Sequence, residues 1–220
     1  MARIVDLSHA IEDGLITYPG LPGPEIGDHL SREASRSHYA PGTEFHIGRI
    51  SLVGNTGTYL DTPAHRYADG TDLGSTPLER MVELRAVVVD AAGHGVIDAD
   101  LFDGHDLRGK AVLIRTDWSR HWGTEAYFAG HPHLTAAAAE RLVDEGAVLV
   151  GIDSLNVDGT VGGERPVHSI LLAAGILIVE HLCRLDELPP SADIRFSAAA
   201  PAIVGLGTFP VRAYAVVDDR

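Results

Sequence analysis

Short apolar runs rich in β-branched residues recur along the chain, and they constrain its fold more than any other feature. They predict strands at residues 4–7, 50–53, 86–89, 111–115, 147–152, 176–179 and 211–217. The strongest helix signal covers residues 135–145, where Thr135 can cap the N-terminus and Gly146 can end the helix. Shorter helices are expected at 99–107 and 167–174. This mixture predicts an α/β fold with a mixed sheet rather than a doubly wound nucleotide-binding fold.

Length and charge limit the classes of function. A chain of 220 residues fits one domain, residues 1–220, and its net charge of -14 argues against binding to nucleic acid or to an anionic membrane. No signal-peptide pattern is present and the apolar runs are too short to span a bilayer, so we expect a cytoplasmic protein with a small-molecule partner. Cys183 is the only cysteine, which excludes an intramolecular disulfide.

Two polar residues close a strand-like stretch at residues 54–65. Asp61 and His65 flank Pro63, which disfavours a helix before it, so both side chains are expected on a loop or strand end facing a cleft. The alternative is structural: Asp61 caps a turn and His65 is a surface histidine. The Pro- and Gly-rich segment 17–27 predicts a surface loop of the kind that forms the wall of a site.

His168 and Glu180 form a second candidate pair. Pro166 suits the first turn of a helix that carries His168, and Glu180 ends an apolar run that places its carboxylate beside the core. A salt bridge or a capped strand end is an equally good explanation of this pair. Together with Asp61, however, the two residues offer the nitrogen and oxygen ligands that Zn²⁺ or Mn²⁺ accepts. His65 then remains as a base or acid near neutral pH.

With these pieces in place, the chain resembles the cyclase-like metal-dependent hydrolases, a family that includes bacterial kynurenine formamidases and isatin hydrolases. The resemblance extends over nearly the whole chain. Its pieces are Val5-Asp6-Leu7-Ser8-His9, Tyr18-Pro19-Gly20, Gly57-Thr58, Asp61, Pro63, His65, His133-Leu134-Thr135, Val150-Gly151-Ile152-Asp153, His168, Glu180 and the segment 205–213. It implies a swivelling β/β/α domain with a mixed sheet, assembled as a homodimer or homotetramer.

The resemblance also assigns roles to residues. The family motif is H-x-G-T-H-x-D-x-P-x-H, in which the first two histidines and the aspartate bind metal and the last histidine is the general acid and base. The matching positions here are Asn55, Tyr59, Asp61 and His65. The distal metal ligands of the family match His168 and Glu180.

Asn55 and Tyr59 depart from that motif. An asparagine offers only a neutral carbonyl oxygen, and a tyrosine must lose a proton before it binds a metal. One metal could still be held by Asp61, His168 and Glu180 with a position open for water. Alternatively, Asn55 and Tyr59 bind polar groups of the substrate where a metal is lost.

The sequence therefore favours a metal-dependent hydrolase that acts on a small amide, formamide, lactam or lactone, and on a non-peptide C–N bond as an arylformamidase does. One divalent cation, Zn²⁺ or Mn²⁺, would be held by Asp61, His168 and Glu180, with His65 as the catalytic base. Tyr18 would contribute to the substrate wall. The alternative is a metal-free relative that either binds a small molecule or uses His65 alone.

Overall fold

The computed structural model describes residues 2–189 and 192–218, and most of its strands join one large sheet. The strands of this part of the chain are β1 (Ala2–Asp6), β2 (Glu25–Leu30), β3 (Ile47–Ser51), β4 (Tyr59–Asp61), β5 (Leu84–Asp90), β6 (Val96–Ile97), β7 (Ala111–Arg115), β8 (His133–Leu134), β9 (Leu149–Ile152), β10 (Leu177–Glu180), β11 (Asp193–Ser197), β12 (Thr208–Pro210) and β13 (Tyr214–Asp218). The helices are α1 (Arg32–Ser35), α2 (Ala136–Asp144) and α3 (Pro166–Ala173).

Nine strands form the large sheet in the order β1-β13-β11-β5-β7-β9-β10-β4-β12. The four central strands β5, β7, β9 and β10 run parallel, and the strands on either side pair antiparallel. The predicted α/β fold with a mixed sheet is therefore confirmed. Polar residues that follow the parallel strands meet at one edge of the sheet, which is where α/β proteins place their ligands.

Alternating residues of the central strands supply two separate cores. Val112 and Ile114 of β7 pack on the side covered by α2 and α3, whereas Ala111 and Leu113 face the other side. The second core also contains residues of both outer parts of the sheet, such as Val217 of β13 and Leu60 of β4. The sheet therefore curls around this core.

The helix signals hold in part. Thr135 caps α2 by accepting a hydrogen bond from the backbone N–H of Ala138, and Gly146 follows with a positive φ of 78°. The prediction for residues 167–174 corresponds to α3. The helix expected at 99–107 is wrong, because only a 3₁₀ turn, Ala99–Phe102, forms before Gly104 takes a φ of 80°.

A two-stranded ribbon, β2 paired with β3, projects its apolar side chains into solvent. Ile26, Ile47 and Ile50 are each about half exposed, at 46%, 47% and 51%. Cys183 is buried, as expected for a small apolar side chain. Among the described residues, no helix has the length and apolar character that a membrane crossing requires.

Candidate active site

Strand β4 provides the frame of the site because it is paired on both sides. Tyr59 lies opposite Glu180 of β10, and Asp61 lies opposite Thr208 of β12. Tyr59 and Asp61 share one face of the strand, since side chains alternate, while Leu60 enters the core on the other face. The register of three strands thus fixes four polar side chains on one face.

Helix α3 brings His168 to this face, and its imidazole lies between two carboxylates. The Nε2 atom of His168 is 3.7 Å from Oδ2 of Asp61 and 3.7 Å from Oε1 of Glu180. Asp61 and Glu180 are fully buried and His168 is 6% exposed. The three residues that the sequence predicted as metal ligands are therefore adjacent in the structure.

Asp158 orients His168 from behind. Its carboxylate accepts hydrogen bonds from the backbone N–H groups of Val167 and His168 at 2.8 and 3.0 Å, and from Nδ1 of His168 at 2.7 Å. Because Nδ1 carries the proton, Nε2 of the neutral ring is free to accept a metal or a proton. Burial alone would lower the pKa of His168, but Asp158, Asp61 and Glu180 together raise it to about 10. An imidazolium therefore balances these carboxylates unless a bound cation does.

Glu180 is held by donors on both of its oxygens. Oε1 accepts a hydrogen bond from the backbone N–H of Val157 at 2.7 Å, and Oε2 accepts one from the hydroxyl of Tyr59 at 2.5 Å and a longer one from Asn156 at 3.4 Å. Burial raises the pKa of Glu180 to about 7, although the neighbouring His168 opposes this effect. A metal cation bound beside Glu180 would lower this pKa and favour the ionised carboxylate.

Tyr59 is the first residue of a buried hydrogen-bonded chain. Its hydroxyl lies 3.4 Å from Nε2 of His181, and Nδ1 of His181 lies 2.9 Å from the hydroxyl of Tyr127. Burial lowers the pKa of His181 to about 3 and raises the pKa of both tyrosines well above the usual range, so all three groups stay neutral. When Glu180 is ionised it can only accept, and every proton in the chain then points towards Glu180.

A second chain fixes the tautomer of His65. Thr208 has one hydroxyl proton and donates it to Oδ1 of Asp61, which as a carboxylate can only accept. The Nδ1 atom of His65, 2.6 Å from the same hydroxyl oxygen, must therefore carry a proton and donate it. The remaining Nε2 of neutral His65 has a free lone pair, as a general base requires.

These groups open into a cavity of about 510 Å³. Its walls combine the loop at residues 18–21 with polar residues of the two hydrogen-bond networks described above, those of Glu180 and of His65. The lining residues are Tyr18, Pro19, Gly20, Leu21, Asn55, Tyr59, His65, Arg66, Asn156, Gly163, Arg165, His168, Ser169 and Glu180. Of the loop predicted at residues 17–27, residues 18–21 form part of the wall, whereas residues 25–27 belong to β2. The cavity is large enough for a small aromatic molecule.

The donor set fits a divalent cation. Oδ2 of Asp61 is buried without any hydrogen-bond partner, although it faces His168, and an unpartnered buried carboxylate oxygen calls for a cation. Ligand atoms of Asp61, His65 and His168 all lie within 4.8 Å of one another. This group shares Asp61 and His168 with the predicted ligand set but has His65 in place of Glu180.

Several residues of the site were not predicted from the sequence. Asn156 and Asp158 follow the buried strand β9, and polar residues at the end of a parallel strand are a signal that could have identified them. Thr208 and His181 carried no such signal, because their roles depend on strand pairing and on a chain of hydrogen bonds that local sequence does not reveal.

The chain is similar to known proteins over most of its length. Residues 5–159 match the model of the family described as putative cyclase. A kynurenine formamidase of Bacillus cereus is 28% identical over 210 residues, which is 95% of each chain.

Solved structures have the same fold. Isatin hydrolase A from Labrenzia aggregata, bound to benzyl benzoate, superposes with a TM-score of 0.83 at 24% identity, covering 99% of this chain and 94% of the other. A protein from Bacillus stearothermophilus, described as a predicted metal-dependent hydrolase, gives 0.78 at 26% identity with 98% of each chain covered. On the match to residues 5–159, the chain belongs to the putative cyclase family.

Proposed function

We propose that this protein is a metal-dependent hydrolase that acts on a small amide, formamide, lactam or lactone. The observation that carries the proposal is the buried, unpartnered Oδ2 of Asp61 facing Nε2 of His168 at 3.7 Å. The kynurenine formamidase relatives and the structure described as a metal-dependent hydrolase support the same reaction class.

One divalent cation, Zn²⁺ or Mn²⁺, would be held by Asp61, His168 and Glu180. When bound, it would polarise the scissile carbonyl and lower the pKa of a water molecule. We assign the third ligand to Glu180 rather than to His65 because Oε1 of Glu180 lies as close to His168 as Asp61 does. His65 is a third exposed, and the hydroxyl of Thr208 fixes it as a base.

The protein's own groups then move the proton. Nε2 of His65 accepts a proton from the attacking water, whose oxygen forms a bond to the carbonyl carbon. The C–N bond of an amide, or the acyl C–O bond of a lactone, then breaks, and the departing nitrogen or oxygen takes the proton back from His65. Thr208, which donates to Asp61, holds the His65 ring in one orientation through Nδ1, and Asp158 does the same for His168.

Asn55, Tyr59 and Tyr18 all line the cavity, but we propose different roles for them. Tyr59 is a neutral donor that holds Glu180 and is not a metal ligand, because burial keeps its phenol protonated. Asn55 and Tyr18 would contact the substrate.

Hydrolysis of formanilide by protein freed of cation with a chelator and then loaded with Zn²⁺ or Mn²⁺ tests this proposal. We expect activity to return with stoichiometric cation. The variant Glu180→Gln should lose the cation, whereas His65→Gln should retain it and lose about 10²–10⁴-fold in kcat. His121→Gln, outside the cavity, is the matched control. Full activity of His65→Gln, or an inactive protein that holds its cation and cleaves no formamide, lactam or lactone, would contradict the proposal.

One observation favours a metal-free alternative. The pKa of His168, raised to about 10, allows its imidazolium to neutralise Asp61 and Glu180 without a metal. In that case the chelator-treated protein keeps its full activity or ligand binding, and elemental analysis of protein purified without chelator finds no stoichiometric transition metal.

We also propose that the chain forms a homodimer or homotetramer. An isolated two-stranded ribbon is only marginally stable in water, and the β2–β3 ribbon exposes isoleucines that a second copy would cover. Light scattering should give two or four times the chain mass of 23.4 kDa, and a monomer would refute this assembly.

A further inference from the structure

A cavity of about 480 Å³ lies apart from the candidate active site, and the two cavities are lined by different residues. Its wall includes Asp6, His9, Cys183, Arg184 and Arg212, and we call it the Arg184 cavity. These residues come from the end of β1 and the segment after it, from the turn after β10 and from the segment before β13. The proposed hydrolysis uses none of them, so the Arg184 cavity is a separate place where a small molecule can bind.

A strained turn lies between the two cavities. His181 has a φ of 56° and Arg184 a φ of 55°, in the left-handed region that residues other than glycine rarely adopt. The turn is held between them, because the backbone N–H of Cys183 donates to the backbone oxygen of Leu7 at 3.0 Å. Strained backbone of this kind is concentrated at binding sites and active sites. The turn places His181 in the hydrogen-bond network of Glu180 and Arg184 in the wall of the Arg184 cavity.

The charges around the Arg184 cavity do not balance. Asp6 is ionised, because its hydrogen bond with Arg212 lowers its pKa. Nε of Arg212 lies 3.0 Å from each oxygen of this carboxylate, and Nη2 of Arg184 approaches Oδ2 only to 3.5 Å. Burial raises the pKa of Cys183, so its thiol stays neutral. One carboxylate therefore faces two guanidinium groups, which leaves one surplus positive charge in a protein with a net charge of -14.

His9 adds a polar atom that the protein does not use. Its Nε2 is buried and has no hydrogen-bond partner among the described residues. The ring stacks on Trp122, with 4.0 Å between the ring centres and 6° between the planes, and this contact fixes its orientation. Burial, and to a smaller extent Arg184, lowers the pKa of His9 to about 4, so the neutral ring keeps one N–H. With the proton on Nε2, this donor needs an acceptor that a ligand oxygen can supply.

We propose that Arg184, Arg212 and His9 form a binding site for a small carboxylate with one negative charge. A guanidinium binds a carboxylate through two parallel hydrogen bonds, and the long contact with Asp6 leaves Arg184 available for this. One surplus positive charge balances one carboxylate, whereas a phosphate dianion would leave a negative charge in the cavity. The proposal assigns a ligand to the Arg184 cavity and no reaction, so it is independent of the proposed hydrolase function.

Calorimetric titration of cation-depleted protein with acetate and with its neutral analogue acetamide, at pH 7 and constant ionic strength, tests the site. We expect acetate to bind about tenfold more tightly than acetamide. Arg184→Gln should weaken acetate binding about tenfold and leave acetamide binding unchanged. Arg3→Gln is the matched control and should change neither affinity. Arg3 is 47% exposed and pairs with one carboxylate, that of Glu187, whereas Arg184 is 46% exposed.

A further variant, Arg66→Gln, separates the two cavities because Arg66 lines the candidate active site. We expect it to bind acetate as the wild type does. Loss of acetate binding in Arg66→Gln would place the probe in the active-site cavity and would overturn the proposal. Inorganic phosphate that binds more tightly than acetate, and depends on Arg184, would refute the assignment to a carboxylate with one charge.

Equal affinities of the wild type for acetate and acetamide would also refute the site, as would acetate binding that is unchanged in Arg184→Gln. If far-UV circular dichroism shows that Arg184→Gln does not fold, His9→Phe decides the question. This variant keeps an aromatic ring beside Trp122 but removes Nε2, so acetate should bind about three- to tenfold more weakly. Unchanged acetate affinity in His9→Phe would then overturn the proposal.

Discussion

Removing one hydroxyl, with Tyr59→Phe, tests the buried chain that holds Glu180. Tyr59 is 2% exposed, and its hydroxyl donates to Glu180 at 2.5 Å while lying 3.4 Å from His181. The substitution leaves the ring in place and removes one donor from a buried carboxylate and one acceptor from a buried imidazole. A hydrogen bond to a charged group contributes about 1.5–3 kcal/mol, and the lone imidazole N–H adds to that loss.

We therefore expect Tyr59→Phe to lower the free energy of unfolding by about 2–3 kcal/mol. For a chain of this size, this corresponds to a fall in Tm of about 4–12 °C. Urea denaturation of cation-depleted protein, followed by far-UV circular dichroism, measures the difference directly. The matched control is Tyr127→Phe, which removes only a neutral bond to His181 and should cost about 1 kcal/mol.

Whether Tyr59→Phe or Tyr127→Phe loses more free energy of unfolding tests the direction assigned to these hydrogen bonds. If Tyr59→Phe costs less than about 0.5 kcal/mol, or less than Tyr127→Phe, the hydroxyl does not support an ionised carboxylate and the direction assigned to the chain is wrong. A double-mutant cycle with Glu180→Gln gives the pairwise energy, which we expect to exceed about 1 kcal/mol because the two residues are in direct contact.

Three further results are expected. Zn²⁺ or Mn²⁺ at a hundred times its Kd should raise the free energy of unfolding by about 2.7 kcal/mol, measured by urea denaturation. Asp61→Asn should lose this gain. Asp153→Asn, which alters a buried carboxylate outside the site, should retain it. Burial lowers the pKa of His9 to about 4, so its unfolded form binds a proton first as the pH falls below 6.5. Stability present above pH 6.5 is then lost towards pH 4, by about 2 kcal/mol at pH 5, and His9→Phe should abolish that part of the slope in cation-depleted urea melts. A Cβ on Gly207 would lie 2.2 Å from the backbone nitrogen of His65, so Gly207→Ala should lower kcat/KM about a hundredfold without loss of the cation, and unchanged kinetics would contradict this contact.

Local sequence was sufficient where one run of residues determines the element. The prediction at 111–115 coincides with β7, because a continuous apolar run between two buried faces has few other conformations. The cap and stop of α2 were also visible. The helix expected at 99–107 does not form, because Gly104 takes a positive φ that turns the chain after the short 3₁₀ turn.

Within the site, the residues that could be predicted are ionisable residues that stand next to a sequence signal for the start of a helix or the end of a strand. His168 near Pro166 and Glu180 at the end of an apolar run are of this kind, and the structure places them 3.7 Å apart. Thr208 could not be predicted, because it meets Asp61 across 147 positions of sequence and only the pairing of β12 with β4 brings them together. The assignment of Nε2 of His65 as the base depends on that contact together with the hydrogen bond between Thr208 and Nδ1 of His65.

The double pairing of β4 has a consequence for how such a site can diverge. A strand fixed by neighbours on both edges cannot slide to accommodate a new residue, since a shift by one position would turn Tyr59 and Asp61 into the core. At this site, side chains can therefore be substituted, but the backbone positions that carry them stay fixed. In this chain the side chain at position 59 is a phenol that donates a hydrogen bond to Glu180. Another side chain at that position would face the same carboxylate, so the chemistry of the cavity can change while the backbone stays the same.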